Sequence, residues 1–234
     1  MRLDAEKVRA FNVRLRAWYR RNARDLPWRK TRDPYEILVS ELMLQQTQVS
    51  RVLEFYPRFL GRFPTLASVA AARERDVLRE WKGLGYYAHA RNLHKLSRSL
   101  VREGAGAWGA DPSDAASAEP SLPGDPVQLR RLPGIGAYTA GAVASFAHEK
   151  RTPLVDTNVA RVLSRVFGPR LSPKRPAHLS RLWRIAAAIL PRTGRATWVH
   201  NQALMELGAL VCTARVKRCG ICPVRGVCRS REAI

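Results

Sequence analysis

Four cysteines near the end of the chain form its densest group of potential metal ligands. Cys212, Cys219, Cys222 and Cys228 have the spacing C-x6-C-x2-C-x5-C, and no other cysteine is present that could pair with one of them. In a reducing compartment, such clustering predicts a metal site or an iron–sulfur cluster. Structural zinc sites usually combine two close cysteine pairs, and this spacing contains one. A [4Fe–4S] cluster is therefore favoured, with zinc as the alternative.

Two carboxylates could perform acid–base or electrostatic chemistry. Glu41 lies among Leu38, Leu42 and Leu44, where a charged carboxylate is costly unless it is paired or protonated. A protonated carboxyl is what a general acid requires, although a lone glutamate on a helix more often lies at the surface. Asp156 directly precedes the run TNVARVLSRV, where aspartate is a favoured helix N-cap. Each carboxylate therefore has a structural and a functional interpretation.

Helices are predicted to position these side chains. Apolar residues recur at three- and four-residue spacing along most of the chain, and no run alternates with period two for long, which predicts an all-α fold. The amphipathic runs are 8–19, 34–63, 66–81, 90–103, 139–149, 158–167 and 179–190. The segment between Glu103 and Val127 is rich in Gly, Ala, Ser and Pro and has no periodic apolar face, which predicts a mobile loop at 105–126.

Two glycine motifs mark sharp turns between helices. One is Gly83-Leu84-Gly85, and the other is Leu132-Pro133-Gly134-Ile135-Gly136 directly before a helical run. In the second motif, paired glycines let backbone amides at the start of a helix approach a phosphate oxygen. A plain helix–helix turn explains such a short motif equally well.

Positive charge is spread along the whole chain. Its 234 residues include 41 Lys and Arg against 19 Asp and Glu, a net charge of +22, and 46% of them are hydrophobic, which is enough for a core. The charge favours a polyanion such as nucleic acid, and an arginine-rich composition with solvated helix faces is the alternative. The sequence has no apolar run of transmembrane length and no signal peptide. We therefore expect a soluble protein of the cytoplasm.

Several segments resemble the endonuclease III and MutY family of DNA glycosylases. The cysteine spacing, preceded by Met205-Glu206-Leu207-Gly208-Ala209, is similar to the family's cluster loop. Three stretches resemble those that mark the MutY branch: DLPWR (25–29), SELMLQQTQV (40–49) and GLGYYAHARNLHK (83–95). Two more match the family as a whole: LPGIGAYTAGA (132–142) and VDTNVARV (155–162). The resemblance runs from about residue 13 to 228, apart from the loop near 105–126.

The resemblance implies an all-α helix-hairpin-helix DNA glycosylase fold with two lobes. Residues 29–149 would form a six-helix barrel lobe that holds the hairpin residues Leu132, Gly134 and Gly136. Residues 1–28 and 150–234 would form a lobe in which the four cysteines bind a [4Fe–4S] cluster. In this family the cluster orders a basic loop against DNA and does not perform base excision. DNA would lie across the cleft between the lobes.

The resemblance also implies how the two carboxylates divide the chemistry. Glu41 matches the acid that protonates N7 of adenine, and Asp156 matches the carboxylate that stabilises positive charge on the deoxyribose. Tyr138 occupies the position of the lysine that cleaves the strand in endonuclease III, and neither Ala137 nor Thr139 can replace that amine. A monofunctional glycosylase is therefore expected.

Further residues match the substrate contacts of the MutY branch. Gln46 and Tyr86 match side chains that enter the base stack and hold the helix open while adenine is extruded. The remaining matches are assigned to substrate binding, mostly in the adenine pocket: Arg24, Trp28, Arg29, Leu44, Asn158 and Glu206. Taken singly, each of these residue types is more often an ordinary core or surface residue.

The expected function is excision of adenine mispaired with 8-oxoguanine or guanine in double-stranded DNA, by a monomer associated with the nucleoid. Thr157 departs from the glycine that follows the aspartate in the MutY branch, while Asn158 is retained. The sequence ends at Ile234, so we expect a short form without the C-terminal domain that recognises 8-oxoguanine, and a weaker preference for that base. One alternative is a glycosylase that removes thymine or uracil opposite guanine. The other is a non-catalytic DNA-binding module, which would be expected to lack Glu41 or Asp156.

Overall fold

A computed structural model of the chain describes residues 3–103, 120–168, 170–172 and 174–231. Its helices are α1 (Ala5–Asn22), α2 (Pro34–Met43), α3 (Val49–Arg62), α4 (Leu66–Ala71), α5 (Glu74–Trp81), α6 (Tyr87–Glu103), α7 (Pro126–Leu129), α8 (Ala137–Phe146), α9 (Thr157–Phe167), α10 (Pro176–Ala188) and α11 (Gly194–Leu210). Short 3-10 turns lie at Pro27–Arg29, Cys219–Ile221 and Arg225–Val227. These residues contain no β-strand, and an isolated bridge joins Cys212 to Lys217. The prediction of an all-α chain is confirmed for them.

Two of the predicted amphipathic runs are each divided into two helices. The run 34–63 is interrupted between α2 and α3, where Gln46 has a left-handed φ of 62° that ends the helix. The run 66–81 is interrupted between α4 and α5 because the backbone is extended at Ala72. Most of the loop predicted at 105–126 lies outside the described residues. No helix in the described ranges is long and apolar enough to span a membrane.

The chain forms two compact units, one of which contains Asp25 to His148. Its core includes α2 and α8, which are buried along most of their length and pack against each other. Asp33 starts α2 by accepting hydrogen bonds from the amides of Tyr35 and Glu36. Because α2 and α8 are apolar around most of their circumference, the polar residues Ser40 and Glu41 of α2 and Thr139 of α8 are buried inside the unit.

The other unit contains the chain up to Arg24 and the residues from Glu149 onward. Here α1 packs against α11, and α9 packs against both α10 and α11. Phe11 of α1 is fully buried and makes an edge contact with Phe167, with ring centroids 5.1 Å apart. This packing holds the N-terminal helix against the C-terminal third of the chain.

A buried histidine gives this unit a pH-dependent stability. His200 of α11 is fully buried beside Phe11, and neither ring nitrogen has a hydrogen-bond partner among the described residues. Burial lowers the pKa of His200 from 6.5 to about 3, so the ring stays neutral in the folded protein.

We predict that His200→Leu reduces the loss of stability in acid. Below pH 6.5 the unfolded chain binds a proton at His200 that the folded chain refuses down to about pH 3. The wild-type free energy of unfolding should therefore fall by about 1.4 kcal/mol per pH unit through this window because of His200. Urea unfolding between about pH 6.5 and about pH 4.5 should give a shallower slope for the variant. Equal slopes for the two proteins would contradict the prediction.

Candidate active site and cysteine cluster

Glu41 and Tyr138 meet inside the unit formed by Asp25 to His148. Glu41 lies on α2 with 3% of its surface exposed, and Tyr138 is the second residue of α8. The Tyr138 hydroxyl donates a hydrogen bond of 2.6 Å to Glu41 Oε2. Beside this pair, Gln45 Nε2 donates to Thr139 Oγ1 at 3.2 Å. The carboxyl group therefore has a fixed orientation in an apolar environment.

The glycine motif before α8 forms the hairpin that places Tyr138. Gly134 has a φ of +78°, and a Cβ at this position would lie 2.5 Å from the Cβ of Asn92. Only glycine fits both the backbone conformation and the close approach. Leu132 is buried, and Gly136 caps α8 without a side-chain hydrogen bond to the first amides. Those amides lack a capping side chain, which is the arrangement that binds a phosphate.

Other predicted substrate residues of this unit lie on the segments around α2 and α6. Trp28 and Arg29 share the 3-10 turn Pro27–Arg29, and Trp28 is buried against Tyr56 with ring centroids 5.5 Å apart. Leu44 directly follows α2. Gln46 and Tyr86 both have left-handed backbones, with φ of 62° and 47°, and both are exposed to solvent.

In the other unit, Asp156 caps the N-terminus of α9. Its Oδ1 accepts the Val159 amide at 2.6 Å, and its Oδ2 accepts Asn158 Nδ2 at 2.9 Å. Burial raises the pKa of Asp156 above its ordinary value of 3.8, and the Val159 and Asn158 hydrogen bonds and the Arg161 charge oppose this rise. A role as N-cap is compatible with a functional role, because the hydrogen bonds from Val159 and Asn158 fix the orientation of the carboxylate.

Arg161 connects Asp156 to the cysteine segment and was not among the predicted residues. Its Nη2 donates to Asn158 Oδ1 at 2.6 Å and to the Gly208 carbonyl at 2.8 Å, and its Nε donates to the Cys212 carbonyl at 2.8 Å. Asn158 in turn donates to Asp156. The spacing of Asn158 and Arg161 on one helix face was visible in the sequence, but their acceptors were not.

The four cysteines line one pocket between α9, the end of α11 and the segment that follows α11. None is in a disulfide, and all four are partly buried. Arg165 Nη1 lies 3.2 Å from Cys212 Sγ and donates to the Thr213 carbonyl at 2.8 Å. Burial, together with the three other cysteines, raises the pKa of Cys222 to about 11. No set of three or more Cys, His, Asp or Glu in the described ranges is arranged around a single metal ion.

Arg24, which is partly exposed, and the buried Glu206 form an ion pair in the same unit. Arg24 Nε and Nη2 donate to the two carboxylate oxygens of Glu206 at 2.9 and 2.7 Å, and the Arg24 amide donates to Oε1 at 2.9 Å. The Glu206 side chain is fully buried. The structure thus brings these two predicted pocket residues together, while a contact of either with a base stays a prediction.

Comparison with known proteins relates this geometry to a family. A model of the HhH-GPD superfamily of base excision DNA repair proteins matches residues 39–186, which include Glu41, the hairpin, Tyr138 and Asp156. The chain belongs to this superfamily. The helix-hairpin-helix fold class predicted from the sequence is thereby confirmed, as is the resemblance to its MutY-like members.

Similar HhH-GPD proteins include two named adenine DNA glycosylases. The chain is 44% identical to that of Mycobacterium tuberculosis over 214 residues, covering 91% of the chain and 65% of the relative. It is 39% identical to the human one over 239 residues, covering 99% of the chain and 41% of the relative. The structure of a thermostable thymine-DNA glycosylase superimposes with a TM-score of 0.82 at 27% identity, covering 97% of both chains.

Because the pKa of Asp156 is raised, we predict that this residue makes the free energy of unfolding of this HhH-GPD protein depend on pH. Just above pH 3.8 the unfolded chain has released the Asp156 proton, whereas the folded chain still holds it. The wild-type free energy of unfolding therefore decreases as the pH rises through this window, and Asp156→Asn lacks that decrease. In urea titrations above pH 3.8, the difference between variant and wild type should grow in favour of the variant as the pH rises. A difference that does not change with pH would contradict the prediction.

Proposed function

We propose that this chain is a monofunctional DNA glycosylase that hydrolyses the N-glycosidic bond of adenine mispaired with 8-oxoguanine or guanine. The observation that carries the proposal is the buried Glu41 carboxyl, oriented by the Tyr138 hydroxyl at 2.6 Å. The names of the two relatives of known activity support adenine as the base.

Glu41 would act as the general acid. Its burial in an apolar helix favours a neutral carboxyl group over a charged one. With Oε2 accepting the Tyr138 hydroxyl, Oε1 would carry the proton to N7 of an extruded adenine. Protonation at N7 draws electrons from the bond between N9 and C1′, so the base leaves as neutral adenine when this bond breaks.

Asp156 would stabilise the positive charge that develops at C1′ as the bond breaks, and water then adds to C1′ and releases one proton to the solvent. This role requires the ionised carboxylate, which the Val159 amide, Asn158 and Arg161 favour against the effect of burial. Tyr138 supplies no amine for a Schiff base, so strand cleavage is not part of the reaction.

Duplex DNA would be bound through charge and through the hairpin. The net charge of +22 attracts the phosphates, and the uncapped amides at the start of α8 offer a phosphate site. Gln46 and Tyr86 would enter the base stack as adenine leaves it. The base itself would contact Trp28, Arg29, Leu44, Asn158 and the Arg24–Glu206 pair. The protein would act as a monomer on the DNA of the nucleoid.

The four cysteines would hold a [4Fe–4S] cluster. All four thiols line one pocket, and several ionised thiolates so close together would repel one another without a cationic partner. Arg165, next to Cys212 Sγ, adds one positive charge there but cannot bind four sulfurs. A bound cluster would fix the basic segment between Cys212 and Cys228, and it would take no part in base excision.

The purified chain should contain about four iron and about four sulfide per molecule. Cys219→Ser should lose most of both, because one thiolate ligand is missing. Ser230→Ala, which changes another residue lining the same pocket, should retain them. Metal analysis and a sulfide assay make the measurement, and about one zinc per chain would favour the alternative.

The proposed activity is tested by single-turnover base release from four labelled duplexes. These contain adenine opposite 8-oxoguanine, adenine opposite guanine, thymine opposite guanine and uracil opposite guanine. Adenine should be released from the first two, and strand cleavage should need alkali. Release of thymine or uracil alone would overturn the proposal and place the chain with thymine-DNA glycosylases, one of which it resembles in structure.

Two substitutions serve as controls for the assigned acid. Glu41→Gln should abolish adenine release, because the amide cannot donate a proton of suitable acidity. Tyr138→Phe should slow release about tenfold, since it removes a hydrogen bond to a carboxyl group worth about 1.5 kcal/mol. Full activity of Glu41→Gln would exclude Glu41 as the acid.

A further inference from the structure

The glycine turn Gly83-Leu84-Gly85, which precedes Tyr86, contacts two side chains of α3. Gly83 has a φ of +108°, and a Cβ at this position would lie 3.0 Å from both Arg51 Nη2 and Phe55 Cζ. Arg51 Nη2 also donates a hydrogen bond of 3.4 Å to the Gly83 carbonyl. The turn is therefore in direct contact with Arg51 and Phe55.

Tyr86 has a backbone conformation that the turn must maintain. Gly85 has a φ of +84° and Tyr86 one of +47°, so two successive residues are left-handed. This region is unfavourable for a tyrosine and persists where the surrounding structure imposes it. The Tyr86 side chain is 51% exposed, with its ring 6.1 Å from that of His89. The His89 amide donates to the Tyr86 carbonyl at 2.9 Å, so the start of α6 constrains Tyr86 on one side, and the buried Leu84 and the contacts of Gly83 constrain it on the other.

Phe55 is stacked with two arginines that differ in their second contact. The guanidinium carbons of Arg51 and Arg58 lie 4.7 and 4.4 Å from the Phe55 ring centroid. Arg51 contacts Gly83 and pairs with Glu54, whereas Arg58 donates to the Glu80 carbonyl and pairs with the Glu80 carboxylate. The two arginines share a charge, a helix and a stacking partner, and Arg51 alone of this pair is seen to bond the glycine turn.

We propose that Arg51 is a positioning residue for base extrusion: it holds Gly83 against Phe55, and thereby keeps Tyr86 in the left-handed conformation from which its ring enters the base stack. This inference rests on the proposed function, in which Tyr86 fills the gap left by the extruded base. A side chain that is already in place when DNA binds has less conformational freedom to lose at that step. Arg51 would therefore speed extrusion without taking part in bond cleavage.

Extrusion can be followed in a duplex in which 2-aminopurine replaces the target adenine opposite guanine. Its fluorescence rises when the base leaves the stack, so stopped-flow mixing reports extrusion separately from base release. Arg51→Ala should slow this rise about tenfold, within the range expected for residues in one contact network. The pH profile of adenine release should keep its shape, because the acid and the sugar-facing carboxylate are unchanged.

A double-mutant cycle with Tyr86→Ala tests whether Arg51 affects base extrusion through Tyr86. If Arg51 acts through Tyr86, Arg51→Ala/Tyr86→Ala should extrude the base no more slowly than Tyr86→Ala alone. Arg58→Ala is the matched control, since it removes the same charge and one arginine from the same ring, and it should extrude at close to the wild-type rate. Urea unfolding of both single variants checks that a difference in stability does not explain the result.

The outcomes separate this inference from the function on which it rests. Wild-type protein that releases no adenine rejects the proposed function. Wild-type protein that releases adenine, while Arg51→Ala leaves extrusion unchanged, rejects the role of Arg51. Independent slowing by Arg51→Ala and Tyr86→Ala, or equal slowing by Arg58→Ala, likewise overturns it.

Discussion

The unfavourable burial of carboxylates is the constraint that organises both units of this protein. Glu41 and Glu206 are removed from water almost completely, and burial raises the pKa of Asp156. Each is accommodated by a different partner: a tyrosine hydroxyl for Glu41, a helix N-terminus and an asparagine for Asp156, and a bidentate arginine for Glu206. These partners determine what each carboxylate can do. The Tyr138 hydroxyl fixes the orientation of the Glu41 carboxyl group, whereas the Arg24 guanidinium holds both carboxylate oxygens of Glu206.

Helix α9 joins the Asp156 carboxylate to the cysteine pocket through one continuous element. Asp156 caps its first turn, Arg161 in the middle donates to the Cys212 carbonyl, and Arg165 near its end contacts Cys212 Sγ. Eleven helical residues extend about 16 Å, so the carboxylate and the cysteines are held at a set separation. A cluster that fixes the cysteine segment would stabilise the acceptors of Arg161, and through Asn158 the orientation of Asp156.

The sequence indicated candidate residues for the chemistry but not the contacts that support them. Glu41 was singled out by its apolar neighbours together with its match to the MutY branch, yet its partner Tyr138 lies 97 positions away and only the folded chain brings them together. Arg161 and Arg165 were missed since their acceptors, also distant in sequence, are a backbone carbonyl and a thiol. The break at Gln46 was missed because only four polar residues separate Leu44 from Val49, and glutamine is not a residue type that predicts a left-handed backbone.

Gly208 shows how a residue without a functional side chain can affect the surroundings of Asp156. It lies on α11 where that helix meets α9, and a Cβ there would come within 2.7 Å of the Cβ of Asn158. A single added methyl group would therefore press on the residue that orients Asp156, although Gly208 carries no functional group of its own. Substitutions at Gly208 would therefore affect the surroundings of Asp156 through packing alone.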